Sequence, residues 1–351
     1  MPRTKYRGRR ASYLENQVIR LTVLEEGGHI AEILDKRSGV NPLWTPPWNS
    51  IEPSTYYCDA CPEYGDGPDA SLLSGIMGHS LCLDAFGAPS EDEIAAGIPV
   101  HGEASTASFE IHETPEGLTA NASLPRAALS FGRQIELRSA TVRIMETVHN
   151  LSAFDRPIAW TEHVTLGPPF LERGITQFRA SATRSKVFES KFGSADYLIA
   201  GTEFEWPQAP QSGGGRADLR VLNAASIFSA FSTHLMDPRR EHAFFVAFAP
   251  AYELAFGYVW KQADFPWMGI WEENHSRMNQ PWSGRTLARG MEFGVSPFPE
   301  SRREMIERNK LFGVPTYRWL SANSHIAVEY WALARHVRTI PDVLEGPSRL
   351  L

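Results

Sequence analysis

The feature that most constrains this chain is its texture. Between residues 17 and 333 it breaks repeatedly into short runs of alternating polar and apolar residues, punctuated by glycine, proline, asparagine or aspartate. Residues 17–24 (QVIRLTVL) and 29–35 (HIAEILD) flank a turn at Gly27 and Gly28 and read as a hairpin. Residues 108–113, 117–124, 128–137 and 141–150 continue the pattern, with a turn at Pro115-Glu116-Gly117. Residues 157–166 add a further strand. Residues 244–248 and 253–260 pair plausibly around 249–252, and 266–271, 286–295, 315–319 and 325–333 close the series. Residues 201–215 read as loop, ending in three glycines. One helix is convincing, at 301–310, because Ser301 can cap it and Glu304 follows three residues later. About fifteen strands with turns every eight to twelve residues predict an all-β fold of antiparallel sheets, sandwich or barrel, with little helix.

No composition break divides the 351 residues. The expected organisation is a frayed basic tail over 1–14, one β-sandwich domain over 15–340, and a C-terminal tail over 341–351. Residues 41–93 stand apart. They carry Trp44, Trp48, Tyr56, Tyr57 and Tyr64 among many Pro, Gly, Asp and Ser, without a clear period. Their aromatic content argues for an ordered excursion over one mouth of the sheet.

A net charge of -7 argues against a nucleic-acid binder. No run of 18 apolar residues and no leader-like segment is present, so no membrane partner is expected and the cytoplasm is the default. Cys58, Cys61 and Cys82 are too few for a disulfide framework. Cys58 and Cys61 have CxxC spacing, but in a Pro/Gly/Tyr-rich loop rather than at a helix start. A zinc site would need further ligands, for which only Cys82 and His79 are near. Unpaired thiols and no metal are the expectation. A monomer or weak homodimer is expected.

Four places put titratable groups at strand ends or beside small-residue turns. His101 lies between Pro99 and Gly102. Glu162 and His163 are adjacent on one strand, so they face opposite sides. Residues 267–275 form an aromatic strand, with Trp267 and Trp271, that runs into Glu272 and Glu273. Glu292 sits alone in the apolar run Gly290-Met291-Glu292-Phe293. Each has a plain structural alternative: a hydrogen-bonded histidine, a core tryptophan, a solvated carboxylate. Together, two histidines, a carboxylate and aromatic faces suit a sugar site.

Taken in order, these motifs resemble the galactose mutarotase-like, or aldose 1-epimerase, family over about residues 15–335. The matching pieces are the Gly27-Gly28 turn, His101-Gly102, Thr161-Glu162-His163, Gly290-Met291-Glu292-Phe293 and the closing strand at 325–333. The resemblance implies a large β-supersandwich and interconversion of the anomers of a sugar or sugar derivative, without a cofactor. It implies His163 as the acid protonating the ring oxygen, Glu292 as the base on the C1 hydroxyl, and His101 as a hydroxyl ligand. Two departures stand out. The family's arginine before the His-Gly motif is missing from 74–84, where His79 is the candidate for that contact, and Glu162 replaces the usual asparagine. Trp267, Trp271 and Glu273 are further candidate ligand contacts, and their strand suits a bulkier or less polar ligand. The alternatives are a non-catalytic carbohydrate-binding protein on the same scaffold, a lyase or glycoside-active sandwich, and a metal site of His79, His101 and His163. A lyase would want a Tyr or Lys base and basic residues, and the acidic stretch from Glu52 to Glu93 argues against a polyanionic substrate.

Overall fold

The period-2 segments form two large antiparallel sheets in the computed structural model, which describes residues 4–346. The first has eleven strands. In spatial order they are Thr4–Tyr6, Arg9–Glu15, Ile19–Leu24, Ile30–Asp35, His79–Leu83, Trp160–Leu166, Leu287–Gly294, Trp267–Asn274, Phe228–Met236, Ala182–Val187 and Glu203–Glu205. The second has eight: Gln177–Ala180, His242–Ala249, Leu254–Lys261, His325–His336, Thr141–Asn150, Leu129–Arg138, Gly117–Leu124 and Glu110–Thr114. The 17–35 hairpin and the pairing of 242–249 with 254–261 are as expected. The expected helix forms over Arg302–Arg308, with Ser301 and Glu304 as its capping box, and two shorter helices, Ala70–Gly75 and Glu91–Ala95, lie outside the expected set.

The main core lies between the sheets. Trp160, Val164, Met268, Ile270 and Phe293 of the first sheet meet Phe245, Phe256, Tyr258, Trp260 and Tyr330 of the second. Trp260 and Phe293 stack with ring centroids 4.3 Å apart. The opposite face of the first sheet is covered too. Phe231, Trp271 and Ala288 pack there beneath Trp44, Leu72, Phe86, Trp282 and Phe298. The 41–93 excursion therefore lies across a face of the sheet rather than over a mouth, and its end supplies the central strand His79–Leu83.

Double coverage explains a strand that alternation misses. Phe228–Met236 (FSAFSTHLM) is buried at every position, so no solvent face imposes a polar period on it. The N-terminal expectation also needs correction. Residues 4–15 are not a frayed tail: Thr4–Tyr6 and Arg9–Glu15 extend the first sheet. Arg9 is fully buried and donates to Gly75 O, Glu26 O and Glu52 Oε2, so part of this basic run is a tertiary clamp. In the C-terminal segment Leu344 packs on Phe244, Val259 and Trp331, while 347–351 lie outside the described residues. Among the described residues, no helix is long and apolar enough to cross a membrane. Cys58 is exposed, Cys82 is buried, and all three thiols are free.

A polar knot sits inside the sheet–sheet core. Arg133 donates to Glu146 Oε1 (2.6 Å), Gly28 O (2.8 Å) and Glu162 Oε2 (3.5 Å). Glu162 also accepts from Trp160 Nε1 (2.9 Å) and lies 2.8 Å from His79 Nε2. Tyr330 Oη is 2.7 Å from Glu146 and 3.0 Å from Glu162, and His79 Nδ1 is 3.0 Å from Tyr258 Oη. Burial, then the neighbouring Glu162, push Glu146 up to about 8, and burial drives His79 down to about 3. The knot thus sets one guanidinium, Arg133, against two buried carboxyl groups, of which Glu146 is held toward its protonated form.

Candidate active site

The site grows out of strand alternation. In Trp160–Leu166, residues 160, 162 and 164 turn to the sheet–sheet core, so His163 and its even-spaced neighbours Thr161 and Thr165 face the covered side. The next strand pairs Glu162 with Phe293 and Thr165 with Gly290, a register that sets His163 opposite Glu292. His163 Nε2 lies 3.1 Å from Glu292 Oε1, and its Nδ1 is 3.2 Å from Thr165 Oγ1. Both side chains open into a cavity of about 260 Å³ between the sheet and the loops above it. That is near the small end of ligand pockets, roughly 300–1,000 Å³. Wider concavities of about 650 and 730 Å³ lie along the second sheet, away from this pair.

Glycines make room for the carboxylate. Gly290 stands two residues before Glu292 on the same face, and a Cβ built there would lie 2.3 Å from Glu292 Oε1. Gly269, across the register from Glu292, would place a Cβ 3.4 Å from Oε2. Gly290→Ala is therefore expected to push the carboxylate away from His163. The expected result is a folded variant in which the His163–Glu292 contact is lengthened, read from a crystal structure beside a melting curve; an unchanged contact would mean that Gly290 does not make room for the carboxylate.

His101 reaches the pocket from a loop. Its backbone is left-handed (φ 65), as is that of Gly102 (φ 77), where a Cβ would strike Leu83 O at 1.9 Å. The pair His101-Gly102 is thus held against the end of the His79–Leu83 strand, a strained arrangement of the kind that clusters at functional sites. The His101 ring is 5.1 Å from that of His163, and its Nδ1 is buried with no hydrogen-bond partner among the described residues. Burial holds His101 well below the usual imidazole range.

Burial also sets the charges of the central pair. It raises Glu292 to about 8 and lowers His163 to about 4. At neutral pH the proton therefore resides on Glu292, and His163 is neutral. Moving that proton across 3.1 Å gives the imidazolium–carboxylate form with the same proton count.

Four of the seven residues singled out from sequence line the cavity: His101, His163, Trp271 and Glu292. Three do not. His79 points the other way, into the polar knot, because His79, Leu81 and Leu83 share the core-facing side of their strand. This also separates it from His163 and removes the three-histidine arrangement. Trp267 lies farther along its strand, buried, with Nε1 donating to Pro315 O (3.0 Å). Glu273 folds a turn: Ser276 N, Ser276 Oγ and Arg277 N all donate to its carboxylate.

That turn delivers a residue the sequence reading passed over. Arg277 lines the cavity with its guanidinium carbon 4.9 Å from the Trp282 ring, 5.6 Å from Trp271 and 5.6 Å from Phe192. The pocket's cation thus comes from the loop after the Trp267–Asn274 strand and not from 74–84. Its only forward signal was an arginine in a Trp-flanked loop directly following an aromatic strand.

No family model matches the sequence, and no curated protein does. Solved structures do match the fold. A galactose mutarotase-like protein from Clostridium acetobutylicum aligns over 95% of this chain and 98% of its own, with TM-score 0.61 and 14% identity. A galactose mutarotase related enzyme from Lactobacillus acidophilus covers 93% and 97%, with TM-score 0.58 and 11% identity. A Klebsiella pneumoniae protein, described provisionally as an aldose 1-epimerase, covers 94% and 80%, with TM-score 0.66 and 12% identity. The fold is that of the galactose mutarotase-like proteins, a large antiparallel supersandwich. At such identities the likeness is one of architecture.

Proposed function

We propose that this chain is a mutarotase-type isomerase that interconverts the anomers of an aldose or aldose derivative. The observation that carries the reading is the His163–Glu292 contact of 3.1 Å at the floor of a small, largely apolar cavity, with His101 beside it. Ring opening removes a proton from the C1 hydroxyl and delivers one to the ring oxygen as the C1–O bond breaks. The open aldehyde turns about C1–C2 and closes with the roles reversed. No electrons are gained or lost, so the reaction needs one acid and one base near the anomeric centre. The pair supplies both, because it holds one proton between two sites. His163 as acid and Glu292 as base corresponds to the charged form, one proton shift from the neutral pair. In this reading His101, which lines the same cavity, binds a hydroxyl. Trp271 offers a ring face 6.1 Å from the His163 ring.

The one-proton state defines a pH window. Above about 8 Glu292 loses the proton and no acid remains; below about 4 His163 gains a second and no base remains. The kcat/KM profile is expected to be a broad bell between these limits, measured by polarimetry across a panel of freshly dissolved aldoses with the buffer-catalysed rate subtracted. No acceleration with any sugar, alongside retained sugar binding, would favour a carbohydrate-binding protein on this scaffold instead.

A further inference from the structure

We infer that the pocket selects a monosaccharide bearing a single carboxylate, such as a hexuronic acid, and that Arg277 is the residue that recognises it. The inference rests on the mutarotase reading for the orientation of the sugar, and on the surroundings of Arg277 for the carboxylate.

Arg277 is held firmly yet left with free donors. Its main-chain N–H and Nε are directed at Glu273, the latter at 3.4 Å. Three rings, Trp282, Trp271 and Phe192, surround the guanidinium. Neither terminal amino group has a hydrogen-bond partner among the described residues, although the side chain is only 25% exposed. The oxygens of Glu273 are already engaged by Ser276 and the Arg277 amide, so Glu273 orients the guanidinium without occupying its outer edge. A planar, preorganised, partly desolvated guanidinium with two open amino groups is matched by a carboxylate in bidentate geometry.

Position agrees with this chemistry. Trp271 contacts both His163 and Arg277, at 6.1 and 5.6 Å. A pyranose lying along that ring with its anomeric carbon at His163 and Glu292 would extend its C5 substituent toward the guanidinium. The rest of the lining is mainly apolar, including Leu72, Phe86 and Val100, and offers few partners for a fully hydroxylated chain. A doubly charged phosphate is disfavoured, because Asp69 lines the same cavity and Glu273 stands behind the arginine.

The test uses the full-length protein and matched sugars: glucuronate against glucose, and galacturonate against galactose. Binding is followed by tryptophan fluorescence and anomer exchange by NMR. The expected result is at least tenfold tighter binding of a uronate than of its neutral partner. Arg277→Met should weaken uronate binding by about ten- to a hundredfold more than it weakens binding of the neutral partner. Arg277→Lys should recover only part, since it keeps the charge and loses the planar fork. Neutral sugars binding as well as uronates, or uronate binding indifferent to Arg277→Met, would overturn the inference. Exchange of a neutral aldose with no preference for the acid would overturn it while leaving the isomerase reading intact. Arginine-dependent uronate binding with no anomer exchange would uphold it and count against the isomerase.

Discussion

Glu292→Gln is expected to lower anomer interconversion by about 10²- to 10⁴-fold, the contribution usual for a positioned proton-transfer group. The replacement keeps the shape of the side chain between Gly290 and Gly269 and takes away only its ability to exchange a proton. A merely structural role would leave the rate alone, and a rate within about threefold of wild type would move the base elsewhere. Stability supplies a second readout. Folded Glu292 keeps its proton up to about 8, whereas an unfolded glutamic acid releases it near 4.5. Its contribution is therefore complete below about 4.5 and is lost as pH rises through about 8. Glutamine has no proton to lose, so the variant's melting temperature should fall less than that of wild type as pH rises from about 4.5 to about 8.

The largest effect on stability is expected at Arg133. Arg133→Met removes the guanidinium of the sheet–sheet knot and leaves the Glu162 carboxyl group buried against Tyr330 and His79 without it. Breaking a buried pair from one side costs about 3–5 kcal/mol, far more than the intact pair contributes over an apolar replacement. Urea denaturation would show this as a lower midpoint. Adding Glu162→Gln to Arg133→Met should restore part of the loss, because it removes the carboxyl group left without its partner. A single variant within about 1 kcal/mol of wild type would mean that the knot is not an isolated charge balance.

Much of the architecture could be read from the chain because one face of many strands meets solvent. The strands Gly117–Leu124, Leu129–Arg138 and Thr141–Asn150 largely alternate in burial, and Thr141–Asn150 has the bounds that its pattern predicts. Where both faces are covered the signal fades. Phe228–Met236 was invisible for that reason, and His79–Leu83 was lost within an aromatic, proline-rich stretch. The placement of His163 opposite Glu292 depends on register between strands far apart in sequence, which only the ordered motifs hinted at. His79 shows the limit of substitution by position: it occupies the segment where an arginine was expected, but strand parity turns it inward. Arg277 was not legible, because what makes it a pocket residue is a turn closed by Glu273 and a cage of three rings drawn from separate segments.

The division of labour across the first sheet has an evolutionary consequence. His163 and Glu292 stand on strands pinned from behind by the sheet–sheet core, whereas Leu72, Leu73, Arg277 and Trp282 come from connecting segments. Substitutions in those segments can reshape the pocket without shifting the strand register. A lineage on this scaffold could change its ligand by loop exchange alone while inheriting the His163–Glu292 pair unaltered, and the same seam is the natural place to graft a new specificity by design.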